Sequence, residues 1–146
     1  MKHKLLYLLL LLAALGTGCL KKNTVTPQPE PSGSYAGQFR IVRRNLGPSS
    51  TTYDTLRKAN ITVTLNGATK LYTVTGDTAT AHAGSHGTFA IGAPLINFVD
   101  ATYSPTAPIT KTHLNGTYAY YFDGTIFQMA AGPDTLSLQY DLKKVN

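Results

Sequence analysis

Ile61-Thr62-Val63-Thr64-Leu65-Asn66-Gly67 alternates apolar and polar side chains and then breaks on Asn-Gly, and Tyr72 and Val74 resume the alternation beyond the break. A period of two places Ile61, Val63 and Leu65 on one face of a pleated strand and the two threonines on the other. Asn-Gly between two such runs is a strong hairpin signal, because both residues tolerate positive φ. The return strand ends at Gly76-Asp77, itself a turn pair.

The same period recurs on both sides of this hairpin. Upstream, Tyr35, Gly37, Phe39 and Ile41 share one face, with Gln38 and Arg40 opposite. Downstream, Phe89 and Ile91 mark a strand and Leu95 to Val99 another. Residues 101 to 112, with Pro105 and Pro108, read as a loop. Asn115-Gly116 precedes Tyr118, Tyr120 and Phe122, which share a face. Asp123-Gly124 turns the chain into Thr125 to Ala130, and Gly132-Pro133-Asp134 turns it again. Leu136, Leu138, Tyr140 and Leu142 then alternate with Ser137, Gln139, Asp141 and Lys143. From Tyr35 onward no stretch sustains the three-and-four spacing of a helix. The pattern predicts an all-β domain of about eight antiparallel strands in a meander. So many strands in so short a chain must hide their edges, and closing or nearly closing into a barrel does so. A β-sandwich is the alternative; its longer crossovers would have to come from residues 43 to 53 and 101 to 112.

The composition fits one globular domain. Of 146 residues, 42% are hydrophobic and 14% charged, which excludes a disordered polyelectrolyte. The formal charge is +6. Without Lys2 and Lys4 it falls to +4, a mild excess that favours an anionic membrane or polysaccharide surface only weakly. The basic residues form no long run and no nucleic-acid motif, so no nucleic-acid partner is expected.

The first 18 residues are laid out as a secretory signal: Lys2-His3-Lys4, the apolar run Leu5 to Leu15, then Gly16, Thr17 and Gly18 before Cys19. The apolar run is shorter than the roughly 20 residues of a membrane span. Small residues before a cysteine at the end of such a run resemble the lipobox of bacterial lipoproteins. That resemblance implies a diacylglyceryl group on Cys19, cleavage before it, and Cys19 as the acylated first residue of the mature protein. The family's usual Leu three places before the cysteine is Gly16 here, with Leu15 one step earlier. Ordinary signal cleavage, leaving a free thiol, is the alternative. Two or more acyl chains anchor stably whereas one is marginal. Leu20, rather than the inner-membrane Asp of enteric lipoproteins, implies the outer membrane. Residues 20 to 34, LKKNTVTPQPEPSGS, read as a polar spacer leaning to polyproline II. Fully extended it spans about 50 Å. The predicted organisation is therefore a signal peptide at 1–18, a lipidated cysteine and tether at 19–34, and one barrel at 35–146.

Gly33-Ser34-Tyr35-Ala36-Gly37-Gln38-Phe39 just after the linker, with the closing strand Leu136 to Leu142, is similar to the small lipocalin-like β domains of Bacteroidetes-type lipoproteins. Lipocalins carry Gly-x-Trp in the first strand, where this chain has Tyr35, and a basic residue packing on that aromatic, a role open to Lys143 or Lys144. The resemblance implies a small, apolar ligand in the barrel mouth. Tyr118, Tyr120, Phe122 and Tyr140 are the candidate ligand-binding face; packing of the core is the other reading of the same rings.

The remaining polar residues carry less. His82 and His86 frame His-Ala-Gly-Ser-His, with His113 further on. Gly84 and Ser85 between them point to a turn, where four-residue spacing does not create a shared face as it would on a helix, so they are read as polar turn histidines and no metal is expected. Asp77 and Asp123 adjoin glycines at strand ends, where Asp stabilises turns. With Asp100 they are the carboxylates to consider for a hydrolase, and Glu30 lies in the linker. There is no Gly-x-Ser-x-Gly, phosphate loop or cysteine nucleophile in the domain, so neither catalysis nor a cofactor is expected. Arg40, Arg43, Arg44, Arg57 and Lys58 are read as the solvated face of a hairpin, or else as a basic patch for acidic glycans or headgroups. Two readings of function remain open: a membrane-tethered barrel with a small-molecule ligand, and a structural or interaction lipoprotein with a filled core, acting through its surface or on an envelope protein partner.

Overall fold

The computed structural model describes residues 29–45, 51–106, 108 and 110–145, and these form eight β-strands with no helix among them. The strands are β1 (Gly33–Arg44), β2 (Tyr53–Asn66), β3 (Leu71–Gly76), β4 (His86–Gly92), β5 (Leu95–Asp100), β6 (Gly116–Phe122), β7 (Ile126–Ala131) and β8 (Leu136–Val145). Each pairs antiparallel with the next, and β8 pairs back onto β1 from Ser34↔Val145 to Arg43↔Leu136. The sheet is a closed barrel, as the alternation predicts, and the sandwich alternative falls with that seam. The leader, Cys19 and the tether up to residue 28 lie outside the described residues.

The alternation of the sequence becomes the two faces of the wall. Tyr35 and Phe39 of β1, Ile61, Val63 and Leu65 of β2, and Tyr140 and Leu142 of β8 are all buried inside. Between Ile41 and Val42 the β1–β2 register slips, with Leu56 the extra residue on β2; Ile41 still packs against the core, and Val42 is buried apart from it. Gly37 stands on the inward face where β1 meets both β2 and β8. A Cβ there would lie 2.1 Å from the Asp141 carbonyl oxygen, so only glycine lets the seam close this tightly. On the outside, an Arg40 guanidinium N–H donates to the Asp141 carboxylate across the same seam.

The decisive hairpin forms, with a different turn. Four residues, Gly67 to Lys70, separate Asn66 from its partner Leu71, and the positive φ falls on Lys70 at 56°. The Asn66 side-chain carbonyl accepts from the N–H groups of Ala68 and Thr69, each at 3.0 Å, so the asparagine acts through its side chain rather than through its own left-handed backbone. Asp123 works in the same way, accepting from Thr125 and Ile126 at 2.8 and 2.7 Å, with Gly124 at φ 102°.

An up-and-down barrel sends its connections to alternate ends. The chain enters at Gly33 and ends its last strand at Val145 on the end that also holds the β2–β3, β4–β5 and β6–β7 turns. At the far end, two connections cover the mouth. His82 bridges Thr112 in parallel, the Ala83 N–H donates to the Thr112 carbonyl at 2.8 Å, and the Thr112 N–H donates to the Ala81 carbonyl at 3.0 Å. This pairing carries Ala81, His82, Ala83 and Leu114 into buried positions.

Candidate functional site in the barrel interior

Tyr118, Tyr120 and Phe122 come from β6 and Tyr140 from β8, and all four side chains point inward, as their period-two spacing requires. Their rings meet one another and their neighbours. Tyr118 and Tyr140 are edge-to-face at 5.6 Å. Tyr120 and Phe122 each pack on Phe127, at 6.2 and 6.1 Å, and Phe122 also meets the edge of Tyr35 at 5.7 Å. Each such pair adds about 0.5–1.5 kcal/mol beyond its buried area. Tyr35, Phe39, Phe127 and Tyr140 have no accessible surface at all (0% each), so no void as large as a water touches them.

The interior is also wired by polar contacts toward the covered mouth. Tyr72, from β3, donates its hydroxyl to the Leu114 carbonyl at 2.6 Å. His82 sits with Nε2 2.9 Å from the Tyr140 hydroxyl and Nδ1 2.6 Å from the Ala83 carbonyl, and its ring meets Phe39 edge-on at 4.8 Å. Burial pushes the His82 imidazole down to about 4, with nearby His113 adding to the fall while the Ala83 carbonyl and Asp100 oppose it. Burial pushes the Tyr140 hydroxyl well above the ordinary tyrosine range. At the edge of this layer the Asp100 carboxylate is fully enclosed. One oxygen accepts from the Thr102 N–H and hydroxyl at 2.7 and 2.6 Å, and the other lies 2.7 Å from His113 Nδ1.

These contacts correct the reading of His82 as a polar turn histidine. It lies in a connection, but the connection folds inward, and the imidazole is paired on both nitrogens. Nothing local in His-Ala-Gly-Ser-His announces this, because the partner that fixes the ring is Tyr140, 58 residues away. His86 does not join it: that residue is exposed at the start of β4, opposite Thr73. Among the described residues no three His, Cys, Asp or Glu side chains converge as metal ligands. Asp77 and Asp123 stand at strand ends, and Asp100 is placed apart from both in the enclosed layer.

The basic residues of β1 and β2 spread over the outer wall and the far rim. Arg40 stands opposite Lys58, Arg44 pairs with Asp134, and Arg57 donates to the Thr110 carbonyl at 3.2 Å. Of Lys143 and Lys144, it is Lys144 that stands directly opposite Tyr35 in the β1–β8 register. No protein-family model, curated protein or solved structure matches the chain.

Proposed function

We propose that this chain is an envelope lipoprotein, held to the outer membrane through lipid on Cys19, whose barrel is a filled scaffold that acts through its outer surface. The observation that carries the reading is the interior itself: ring-on-ring contacts occupy it, and its central side chains are wholly inaccessible. A ligand pocket of ordinary kind encloses at least about 300 Å³. Accommodating a small apolar molecule on the Tyr118, Tyr120, Phe122 and Tyr140 face would require those rings to separate and the His82–Tyr140 contact to open. The anchor rests on the leader and the placement of Cys19. The chain enters β1 at the barrel end opposite the two connections over the mouth, so a tether from Cys19 would join the barrel at that end.

The test is native mass spectrometry of the mature protein purified from its own host's envelope. The expected result is the polypeptide mass plus the anchor. A stoichiometric small molecule retained by the protein would overturn the filled-scaffold reading and restore the ligand-binding one.

A further inference from the structure

We propose that the outer wall across β6, β7, β8 and β1 is a binding groove for an extended, neutral saccharide chain; this deepens the reading of a surface-acting barrel and rests on it. The wall carries a shallow cleft of about 300 Å³ over Ala119, Tyr121, Gln128, Ala130, Gln139 and Asp141. Tyr121 is the ring on this face and is 53% exposed, unlike Tyr118 and Tyr120 on the same strand.

The register explains the shape. Tyr121, Gln128, Asp141, Gln38 and Asn60 are successive direct partners across β6, β7, β8, β1 and β2. The row beside them runs Ala119, Ala130, Gln139, Arg40. The two alanines leave a low floor next to the Tyr121 ring, and the amides stand along its edge. Neighbouring strands are about 4.8 Å apart, so a chain lying across them meets a new polar group at intervals close to the length of one sugar ring in an extended saccharide.

The chemistry matches hydroxyls. Asp141 accepts from Gln128 Nε2 at 3.0 Å and from the Arg40 guanidinium. Its charge is thereby balanced, and Gln128 is held in place with an amide oxygen and a second N–H to offer. Gln139 is likewise steadied by its contact with Ser137 Oγ at 3.3 Å. Pre-set amides lower the ordering cost of binding. Over the cleft between β6 and β8 the side chains offer amide donors and acceptors, with the Asp141 charge balanced by Arg40, and with Lys58 further out on β2; this suits sugar hydroxyls, and the exposed ring suits the apolar face of a pyranose, as rigid tyrosines do in adaptable binding surfaces.

The mature protein, isotope-labelled, would be titrated with cellohexaose as the extended probe and maltohexaose as the curved one, following amide and aromatic resonances. The expected result is saturable shifts at Tyr121, Gln128 and Gln38 with cellohexaose, and at least tenfold weaker binding by Tyr121→Ala. Gln128→Ala should also weaken binding, and Tyr53→Ala, which removes an exposed ring elsewhere, should not. Tyr121 and Gln128 are outward and exposed, so both variants should keep the wild-type spectrum. Absence of shifts, or binding that survives Tyr121→Ala unchanged, overturns the groove and leaves the filled scaffold standing. Binding of hexagalacturonate alone overturns it in favour of an anion site at Arg40 and Lys58. Shifts confined to the inward Tyr118 and Tyr140 overturn both readings.

Discussion

The Nε2 of His82 and the hydroxyl of Tyr140 lie 2.9 Å apart in the interior, joining the connection over the barrel mouth to the closing strand. The tautomer follows from the other nitrogen. Nδ1 is 2.6 Å from the Ala83 carbonyl, which can only accept, so Nδ1 carries the proton and Nε2 accepts from the tyrosine. The tyrosine stays a donor because burial raises its ionisation well above the ordinary range. The imidazole stays neutral because burial lowers its own to about 4.

This pair predicts an acid-sensitive barrel. His82 has an ordinary value of 6.5 when unfolded and about 4 when folded. Between those values the unfolded chain takes up a proton that the folded chain refuses, so the contribution is fully present above pH 6.5 and is lost as pH falls toward 4. The loss amounts to about 3 kcal/mol, at 1.36 kcal/mol per unit. Urea unfolding of wild type and His82→Gln at pH 7 and pH 4 checks it: the variant's stability should change with pH by about that much less. Equal pH dependence in the two proteins would show that His82 titrates normally.

Tyr140→Phe leaves His82 Nε2 buried and unpaired, an expected cost of about 1–3 kcal/mol. Tyr118→Phe loses a long contact to the Asn115 carbonyl, at 3.4 Å, and an interaction with the Tyr140 hydroxyl, but leaves the His82–Tyr140 pair in place and should cost less. Chemical denaturation of the two variants side by side settles the order. A larger effect at Tyr118 would mean that the Tyr118 hydroxyl, rather than His82, is the principal partner of Tyr140.

Much of the wall is legible in the sequence because one buried face imposes a period of two, as in β8, where Tyr140 and Leu142 are buried and Lys143 is exposed. The start of β2 is not. Residues 53 to 58 are exposed on every side, so Tyr-Asp-Thr-Leu-Arg-Lys shows no alternation even though it pairs with β1 as far as Arg44. The inward direction of Tyr118, Tyr120, Phe122 and Tyr140 is readable, but whether inward rings leave a cavity depends on how they meet across the barrel, which alternation does not encode. The crossover over the mouth is the least legible part. Thr78, Gly84 and Ser85 look like ordinary turn chemistry, and what pulls Ala81 and His82 inside is pairing with Thr112 and Tyr140, both distant in the chain.

Gly37 offers a direct test of the seam. A Cβ would meet the Asp141 carbonyl oxygen at 2.1 Å and the Leu142 Cα at 2.9 Å, both backbone atoms that cannot swing aside. Gly37→Ala should therefore cost about 1–3 kcal/mol or more through overpacking, although alanine is the smallest possible change. Gly92→Ala, at a position where nothing lies within 4 Å, is the control. Thermal melts of both variants would show it; equal melting temperatures would mean that β1 and β8 part without cost.

The anchor is the prediction on which the physiological setting depends. The leader carries a positive start, an apolar run too short to span a bilayer, and a cysteine directly after small residues. Lipid on that cysteine would tether the barrel to a membrane, and at least two acyl chains would be needed for a stable hold. Cys19→Ser removes the acceptor sulfur without touching any described contact of the barrel. Wild-type protein from host membranes should partition into detergent and carry an acyl mass on its N-terminal peptide. The Cys19→Ser protein should carry none and fractionate with the aqueous phase. An unmodified wild-type N-terminus with a free thiol would instead establish ordinary signal cleavage, and the barrel would then be a released envelope protein.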